Sequence, residues 1–235
     1  MKNKYTYVWV SFVVLVFGII FIPRIIERMQ SGTVVQKDRM SRLSFIESNG
    51  ERKKVPEFSF INQDSLVITN KDYLGKVYVV EFFFTTCPSI CPIMSRNLVE
   101  IQNEFKDFQN FGVASFTINP EYDTPIVLKE YAEKYGITNL DWHLLTGERD
   151  KIYELANKGF YIIAKEAPEV PGGFEHSGMF ALVDKNGFIR SRLDAANNPM
   201  IYYRGTITED QGENKEGEKE QISILKEDIK RLLKE

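Results

Sequence analysis

Residues 76–92 read KVYVVEFFFTTCPSICP, and this stretch decides the fold class. Its first part, residues 76–84, is a continuous run of β-branched and aromatic residues, which is typical of a strand buried on both faces. After Pro88 the pattern becomes helical, with apolar residues spaced among polar ones. The stretch therefore predicts a buried strand followed by a helix, with Cys87 and Cys91 at the junction.

Elsewhere strand and helix patterns alternate along the chain, as in an α/β layered domain with a central mixed sheet. The helix over 125–135 has clear boundaries, because Thr124 can cap it, Pro125 suits its first turn and Gly136 ends it. The other predicted elements are an N-terminal β-hairpin over 55–61 and 66–69, strands over 111–118, 142–145 and 160–164, a helix over 148–157, a hairpin over 179–183 and 188–193, and a final helix over 222–233.

Cys87 and Cys91 are the only two cysteines in the chain. Four residues apart on a helix, their β-carbons would lie about 5–6 Å apart, so a small movement would allow a disulfide. The helix N-terminus would stabilise a thiolate at Cys87. Such a pair either exchanges between dithiol and disulfide or holds a soft metal ion. A purely structural disulfide is the weaker alternative, because closing so short a loop stabilises the fold little.

A copper site built on this pair needs a third, nitrogen ligand, and the chain has two histidines, His143 and His176. His143 lies within the predicted strand 142–145, where a structural or surface role is the simpler interpretation. His176 precedes the strand 179–183, and a loop at the edge of a sheet can face the strand-to-helix turn. From the residues alone, His176 is a candidate ligand, and a structural role for it stays open.

The composition excludes several classes of protein. With 43% hydrophobic and 27% charged residues, the chain is typical of globular rather than disordered proteins. Two cysteines are too few for a disulfide-scaffolded mini-protein or a four-cysteine zinc module. The formal net charge of −3 offers no basic surface to a nucleic acid. We therefore expect no nucleic-acid partner.

Residues 5–22 contain no charged residue and are almost wholly apolar. At about 1.5 Å per residue they would extend roughly 27 Å, close to the thickness of a hydrocarbon core. The run is longer than a signal-peptide core and lacks a small-residue cleavage site, which favours a retained anchor. The positive charges before it place the rest of the chain outside the cytoplasm, in the periplasm or on the outer face of the cell membrane. The predicted organisation is a transmembrane anchor within 1–30, a polar tether over 31–54 and a domain over 55–235.

Four motifs resemble the Sco/SenC family in their order and spacing. A Cys-Pro-x-x-Cys-Pro sequence followed at a distance by His-Ser is specific in combination, although each part alone is a weak signal. The resemblance covers roughly residues 55–235. The motifs are FFTTCPSICP at 83–92, INPEYDTP at 118–125, WHLLTG at 142–147 and HSGMFALVD at 176–184.

The resemblance implies a thioredoxin-like fold that binds one copper ion, Cu(I) or Cu(II), through Cys87, Cys91 and His176. It further implies an assembly factor, rather than a turnover enzyme, that helps to metallate the binuclear copper centre of cytochrome c oxidase. The partner would be the copper-site subunit of that oxidase or a similar copper protein. Two alternatives stay open: a thiol–disulfide oxidoreductase in which Cys87 attacks and Cys91 resolves the mixed disulfide, and a redox sensor.

Overall fold

The structure is a computed structural model, and it describes residues 9–19, 21–23, 43–193 and 198–235. Residues 43–192 and 199–235 form one compact unit, which contains the elements below. Its strands are β1 (Leu43–Phe45), β2 (Glu47–Ser48), β3 (Glu51–Arg52), β4 (Ser59–Asn62), β5 (Val67–Thr69), β6 (Val77–Phe83), β7 (Phe111–Thr117), β8 (Trp142–Thr146), β9 (Ala164–Glu166), β10 (Phe174–His176), β11 (Met179–Val183), β12 (Ile189–Arg192) and β13 (Tyr203–Arg204). Its helices are α1 (Cys91–Glu104), α2 (Pro125–Tyr135), α3 (Arg149–Glu154) and α4 (Ile222–Lys234), with a 3₁₀ turn at Asn70–Tyr73 and a π-helical turn at Leu155–Phe160.

The main sheet is mixed, with the strand order β1-β12-β11-β6-β7-β8-β4-β5 and with β13 paired to β11. Strands β6, β7 and β8 are parallel, and their neighbours in the sheet are antiparallel. Every residue of β6 and β7 is buried, as expected for central parallel strands that are covered on both faces. This is the central mixed sheet that the sequence predicts, and the run at 76–84 supplies one of its central strands.

The two predicted hairpins are present in the same sheet. β4 and β5 pair antiparallel with Phe60 opposite Ile68, and they extend the sheet beyond β8. β11 and β12 pair antiparallel with Leu182 opposite Arg190. Helix α2 also has its predicted boundaries, because the Thr124 side chain accepts a hydrogen bond from a backbone amide of the first turn and Gly136 adopts a φ of 73° at its end.

Strand pairing begins before residue 55, where the sequence predicts the domain to start. β1 pairs antiparallel with β12, and β2 pairs with β3. These short strands have little apolar periodicity, so the sequence pattern alone does not indicate them. Residues 31–42 of the predicted tether lie outside the described residues.

The structure contradicts the predicted transmembrane helix over residues 5–22. Helical residues occur at 9–19 and 21–23, and within the described part of the chain no helix has both the length and the apolar character needed to cross a bilayer. A membrane-spanning helix needs about 20 consecutive apolar residues in one continuous helix. The predicted localisation, a domain held at the membrane by that span, therefore loses its support. Residues 5–8 and 20 of the predicted span lie outside the described residues.

Glu81 is a buried carboxyl group in the middle of β6, with only 1% of its surface exposed. Its Oε1 accepts a hydrogen bond of 2.6 Å from the Ser115 hydroxyl, and its Oε2 has no hydrogen-bond partner among the described residues. Burial raises the pKa of Glu81 to about 7, because the ionised form loses its hydration. The folded chain therefore holds a proton on Glu81 at pH values where the unfolded chain releases it.

We expect the free energy of unfolding to fall as the pH rises from about 4.5 to about 7, by roughly 3 kcal/mol from this one group. The folded pKa of Glu81 lies above its unfolded value, so its stabilising contribution is present below the unfolded pKa and is lost as the pH rises through the folded one. Urea unfolding at about pH 5 and about pH 8 measures the difference. Glu81→Gln should lose this part of the pH dependence, and an unchanged dependence in that variant would contradict the prediction.

Candidate metal centre

The two cysteines lie in and beside the loop between β6 and α1. The sequence predicts a helix directly after Pro88, but α1 begins at Cys91, with Ile90 as its N-terminal cap. The difference arises because residues 88–90 form a bend that returns the Cys91 amide to the Cys87 sulfur. It is Pro92, in the first turn of α1, that takes the position where no amide hydrogen is required.

The structure brings Cys87, Cys91 and His176 together. The Cys91 backbone amide donates a hydrogen bond of 3.4 Å to Cys87 Sγ, and Cys91 Sγ lies 3.2 Å from His176 Nε2. The two sulfurs and an imidazole nitrogen all lie within 4.8 Å of one another. Both cysteines are free thiols and buried, with 8% of Cys87 and 1% of Cys91 exposed. Cys87 is thus the thiol with more access to solvent.

His176 reaches the cysteines from a small two-stranded sheet. The sequence places it in the approach to the strand 179–183, whereas it is the last residue of β10 and pairs with Ala164 of β9. Its ring packs edge-on against Phe84, with ring centroids 5.8 Å apart and an angle of 80° between the planes. Nε2 faces Cys91, and the buried Nδ1 has no hydrogen-bond partner among the described residues. Nε2 is therefore the nitrogen in position to bind a metal ion.

The pKa values of the two thiols are shifted in opposite directions. A hydrogen bond from the Cys91 thiol lowers the pKa of Cys87 to about 3, against the effect of burial, and hydrogen bonds from His176 and from the backbone amides of Cys91 and Ser89 act in the same direction. Burial raises the pKa of Cys91 far above its ordinary value, and the adjacent Cys87 thiolate raises it further. The pair therefore holds one proton, with the thiolate at Cys87.

Asp123 fixes the start of the cysteine loop to the end of β7. Its buried carboxylate accepts a hydrogen bond of 3.1 Å from the Thr85 amide and further bonds from the hydroxyls of Thr85 and Thr117. Burial raises the pKa of Asp123. Asp123 lies within the motif at 118–125, but the sequence pattern indicates no role for it, because its contact with Thr85 joins residues that are distant in the sequence.

His143 lies away from the cysteines, within the sheet. The strand registers align it with Ala114 of β7 and, through Ala114, with Val80 of β6, whereas the cysteines follow the end of β6. Its Nδ1 lies 3.2 Å from Asn62 Nδ2, and burial lowers its pKa. The structural interpretation of His143 agrees with this position.

Cys87, Cys91 and His176 form a donor set that fits a soft metal ion. Ordinary metal–sulfur bonds of about 2.3 Å and metal–nitrogen bonds of about 2.0 Å place three donors around one ion roughly 4 Å apart, and these donor atoms already lie within 4.8 Å of one another. Two thiolates and an imidazole suit Cu(I), whereas structural zinc sites use four protein ligands. The described residues contain no other such cluster of cysteine, histidine and acidic side chains.

Comparison with known proteins identifies the family. The SCO1/SenC family model matches residues 46–208. This chain belongs to the SCO1/SenC family. A SCO1 protein homolog of Bacillus subtilis is 32% identical over 147 residues, which cover 62% of this chain and 76% of that protein.

Solved structures of SCO1/SenC proteins share the fold. BsSco, a member of the Sco family of cytochrome c oxidase assembly proteins, has a TM-score of 0.61 at 27% identity, covering 77% of this chain and 94% of its own. Yeast Sco1 with copper bound has a TM-score of 0.50 at 26% identity, covering 62% of this chain and 83% of its own. These neighbours support the mixed α/β, thioredoxin-like architecture that the resemblance implies.

Proposed function

We propose that this SCO1/SenC protein binds one copper ion through the sulfurs of Cys87 and Cys91 and Nε2 of His176. The observation that carries the proposal is the convergence of these three soft donors within 4.8 Å. The low pKa of Cys87 keeps one ligand deprotonated at neutral pH, and metal binding would displace the proton that remains on Cys91. The copper-bound structure of yeast Sco1, a protein of the same family, supports the choice of metal.

The copper is cargo in this proposal, and the recipient is the copper-site subunit of cytochrome c oxidase or a similar copper protein. The membership of BsSco in a family of cytochrome c oxidase assembly proteins supports this role. A cleft of about 150 Å³ opens beside Cys87, with Ile90, Val170, Pro171 and Phe174 among its lining residues. A three-donor site that borders such a cleft allows ligands of a recipient to replace the donors one at a time.

A second candidate function is reduction of the recipient's cysteines, and the opposite pKa shifts of Cys87 and Cys91 favour it. The Cys87 thiolate would attack a recipient disulfide, form a mixed disulfide and release one recipient thiolate. Cys91 would then give its proton to the released recipient thiolate and attack Cys87, which closes the Cys87–Cys91 disulfide and releases the second recipient thiolate. Two electrons pass from this chain to the recipient. The two functions use the same cysteines, but only copper binding needs His176 as a ligand.

A copper titration of the reduced full chain tests the proposal. We expect one equivalent of Cu(I) to be taken from a chromophoric Cu(I) chelator, and one equivalent of Cu(II) to produce thiolate-to-copper absorption in the visible range. The same chain oxidised to the Cys87–Cys91 disulfide is the matched control and should bind neither ion, because a disulfide sulfur is not a thiolate ligand. Binding that is equally tight in the oxidised chain would place copper elsewhere and would refute the proposal.

A further inference from the structure

Asn97 is a buried side chain on α1, the helix that begins at Cys91. Its Nδ2 donates to the backbone carbonyls of Gly205 at 2.9 Å and Ile207 at 3.2 Å. Its Oδ1 is buried and has no hydrogen-bond partner among the described residues. The two donor bonds are therefore the polar contacts that hold this amide, and they fasten residues 205–207 to α1.

Residues 205–207 support the turn that follows His176. The Gly205 amide donates a hydrogen bond of 2.9 Å to the carbonyl of Gly178. Gly178 has a φ of 64°, and a β-carbon at this position would lie 2.5 Å from Thr206 Cγ2 and 3.2 Å from Ile90 Cδ1. A side chain at residue 178 is thus excluded by both its backbone conformation and its close neighbours. The turn after His176 is packed directly on the segment that Asn97 holds.

Strands β13 and β11 provide further contacts between residues 203–207 and the chain that follows His176. Directly before Gly205, β13 pairs with β11, with Arg204 opposite Met179. A β-carbon on Gly205 would lie 2.6 Å from the Phe180 ring, so residue 205 packs closely against this side chain of β11. Residues 203–207 therefore lie against the chain on the C-terminal side of His176, from Gly178 into β11.

We infer that Asn97 is a positioning residue that sets the distance between His176 and Cys91. Helix α1 carries Cys91 at its first residue. The same helix carries Asn97, which holds residues 205–207, and these residues contact the turn after His176. The inference rests on the proposed copper site and deepens it, because it names how one helix controls both a sulfur and the nitrogen donor. Loss of the two amide bonds frees residues 205–207 and allows His176 to move away from the cysteines.

The test combines copper affinity with the imidazole NMR signals of the full chain, which has only two histidines. We expect Asn97→Ala to weaken Cu(I) binding by about 10-fold, the size of effect seen when outer-shell support of a metal ligand is removed. In the metal-free chain, the ring ¹⁵N and ¹H signals of His176 should shift while those of His143 stay in place. Thr206→Gly, at a half-buried position, removes the packing beneath Gly178 and should produce the same pattern if Asn97→Ala fails to fold.

Gln102→Ala is the matched control for the loss of a buried amide from α1. Gln102 also ties a loop to this helix, through Gly136 and the amides of Thr138 and Asn139, but Asn139 of that loop bonds to the start of β7, at the end of the parallel strands opposite to the cysteines. Gln102→Ala should lower the free energy of unfolding without changing the His176 signals or the copper affinity. Equal effects of Gln102→Ala and Asn97→Ala, or unchanged His176 signals in both Asn97→Ala and Thr206→Gly, would overturn the inference. A parent chain that binds no copper would refute the proposed function alone, since the metal-free His176 signals still decide the role of Asn97.

Discussion

Cys87→Ser and Cys91→Ser are each expected to abolish tight copper binding and dithiol–disulfide exchange together. A serine hydroxyl stays protonated at neutral pH and is a hard donor, so either change leaves one thiolate and one imidazole for a soft ion. The remaining cysteine has no partner thiol, because the chain contains only these two. The copper titration should show no binding that competes with the chelator. After mild oxidation, thiol counting should find one free thiol in each variant, whereas the parent loses both.

Ser89→Ala is the control for these variants, because Ser89 belongs to the same loop and its hydroxyl lies 3.7 Å from Cys87 Sγ without being a candidate ligand. It should keep both copper binding and disulfide formation. Retention of one-equivalent copper binding in either cysteine variant would show that two sulfurs are not required. Such a result would refute the proposed three-donor site and would not affect the description of the fold.

The parts of the fold that could be predicted from the sequence are those with strong local signals. The run at 76–84 is apolar apart from Lys76 and Glu81 and forms a central strand, and Thr124 with Gly136 sets the boundaries of α2. The start of α1 was not predictable, because the bend before Cys91 is stabilised by a bond between its amide and the Cys87 sulfur. The predicted membrane span followed from the apolar character and length of residues 5–22, which do not establish that a helix long enough to cross a bilayer forms.

The site shows the same division between local and distant interactions. The spacing of Cys87 and Cys91 is local, so the sequence alone indicates a thiol pair. His176 is 85 residues from Cys91, and residue patterns left its role open until the resemblance implied one. Asn97 and Asp123 act through backbone groups of other segments. No residue pattern encodes such contacts, because any side chain with a donor or acceptor could supply them once the fold exists.

His176→Ala separates the two candidate functions more sharply than any change to the cysteines. We expect copper binding to weaken by about 10-fold or more, because two sulfurs alone hold the ion less tightly than two sulfurs and an imidazole. The cysteine pair should still oxidise and reduce. The strongest contribution to the low pKa of Cys87 comes from the Cys91 thiol, and the contribution of His176 is smaller. The attacking thiolate therefore persists without the imidazole.

The measurement is a chelator competition for copper beside a redox titration of the thiol pair, on the parent, His176→Ala and His143→Ala. His143 is the matched control, since it is the other histidine and contacts Asn62 and Tyr73 rather than the cysteines. It should match the parent in both titrations. If His176→Ala binds copper as tightly as the parent, the imidazole is not a ligand, and the three-donor site is refuted. The asymmetric thiol pair would then favour reduction of the recipient's cysteines, because that reaction uses Cys87 and Cys91 without the imidazole as a ligand.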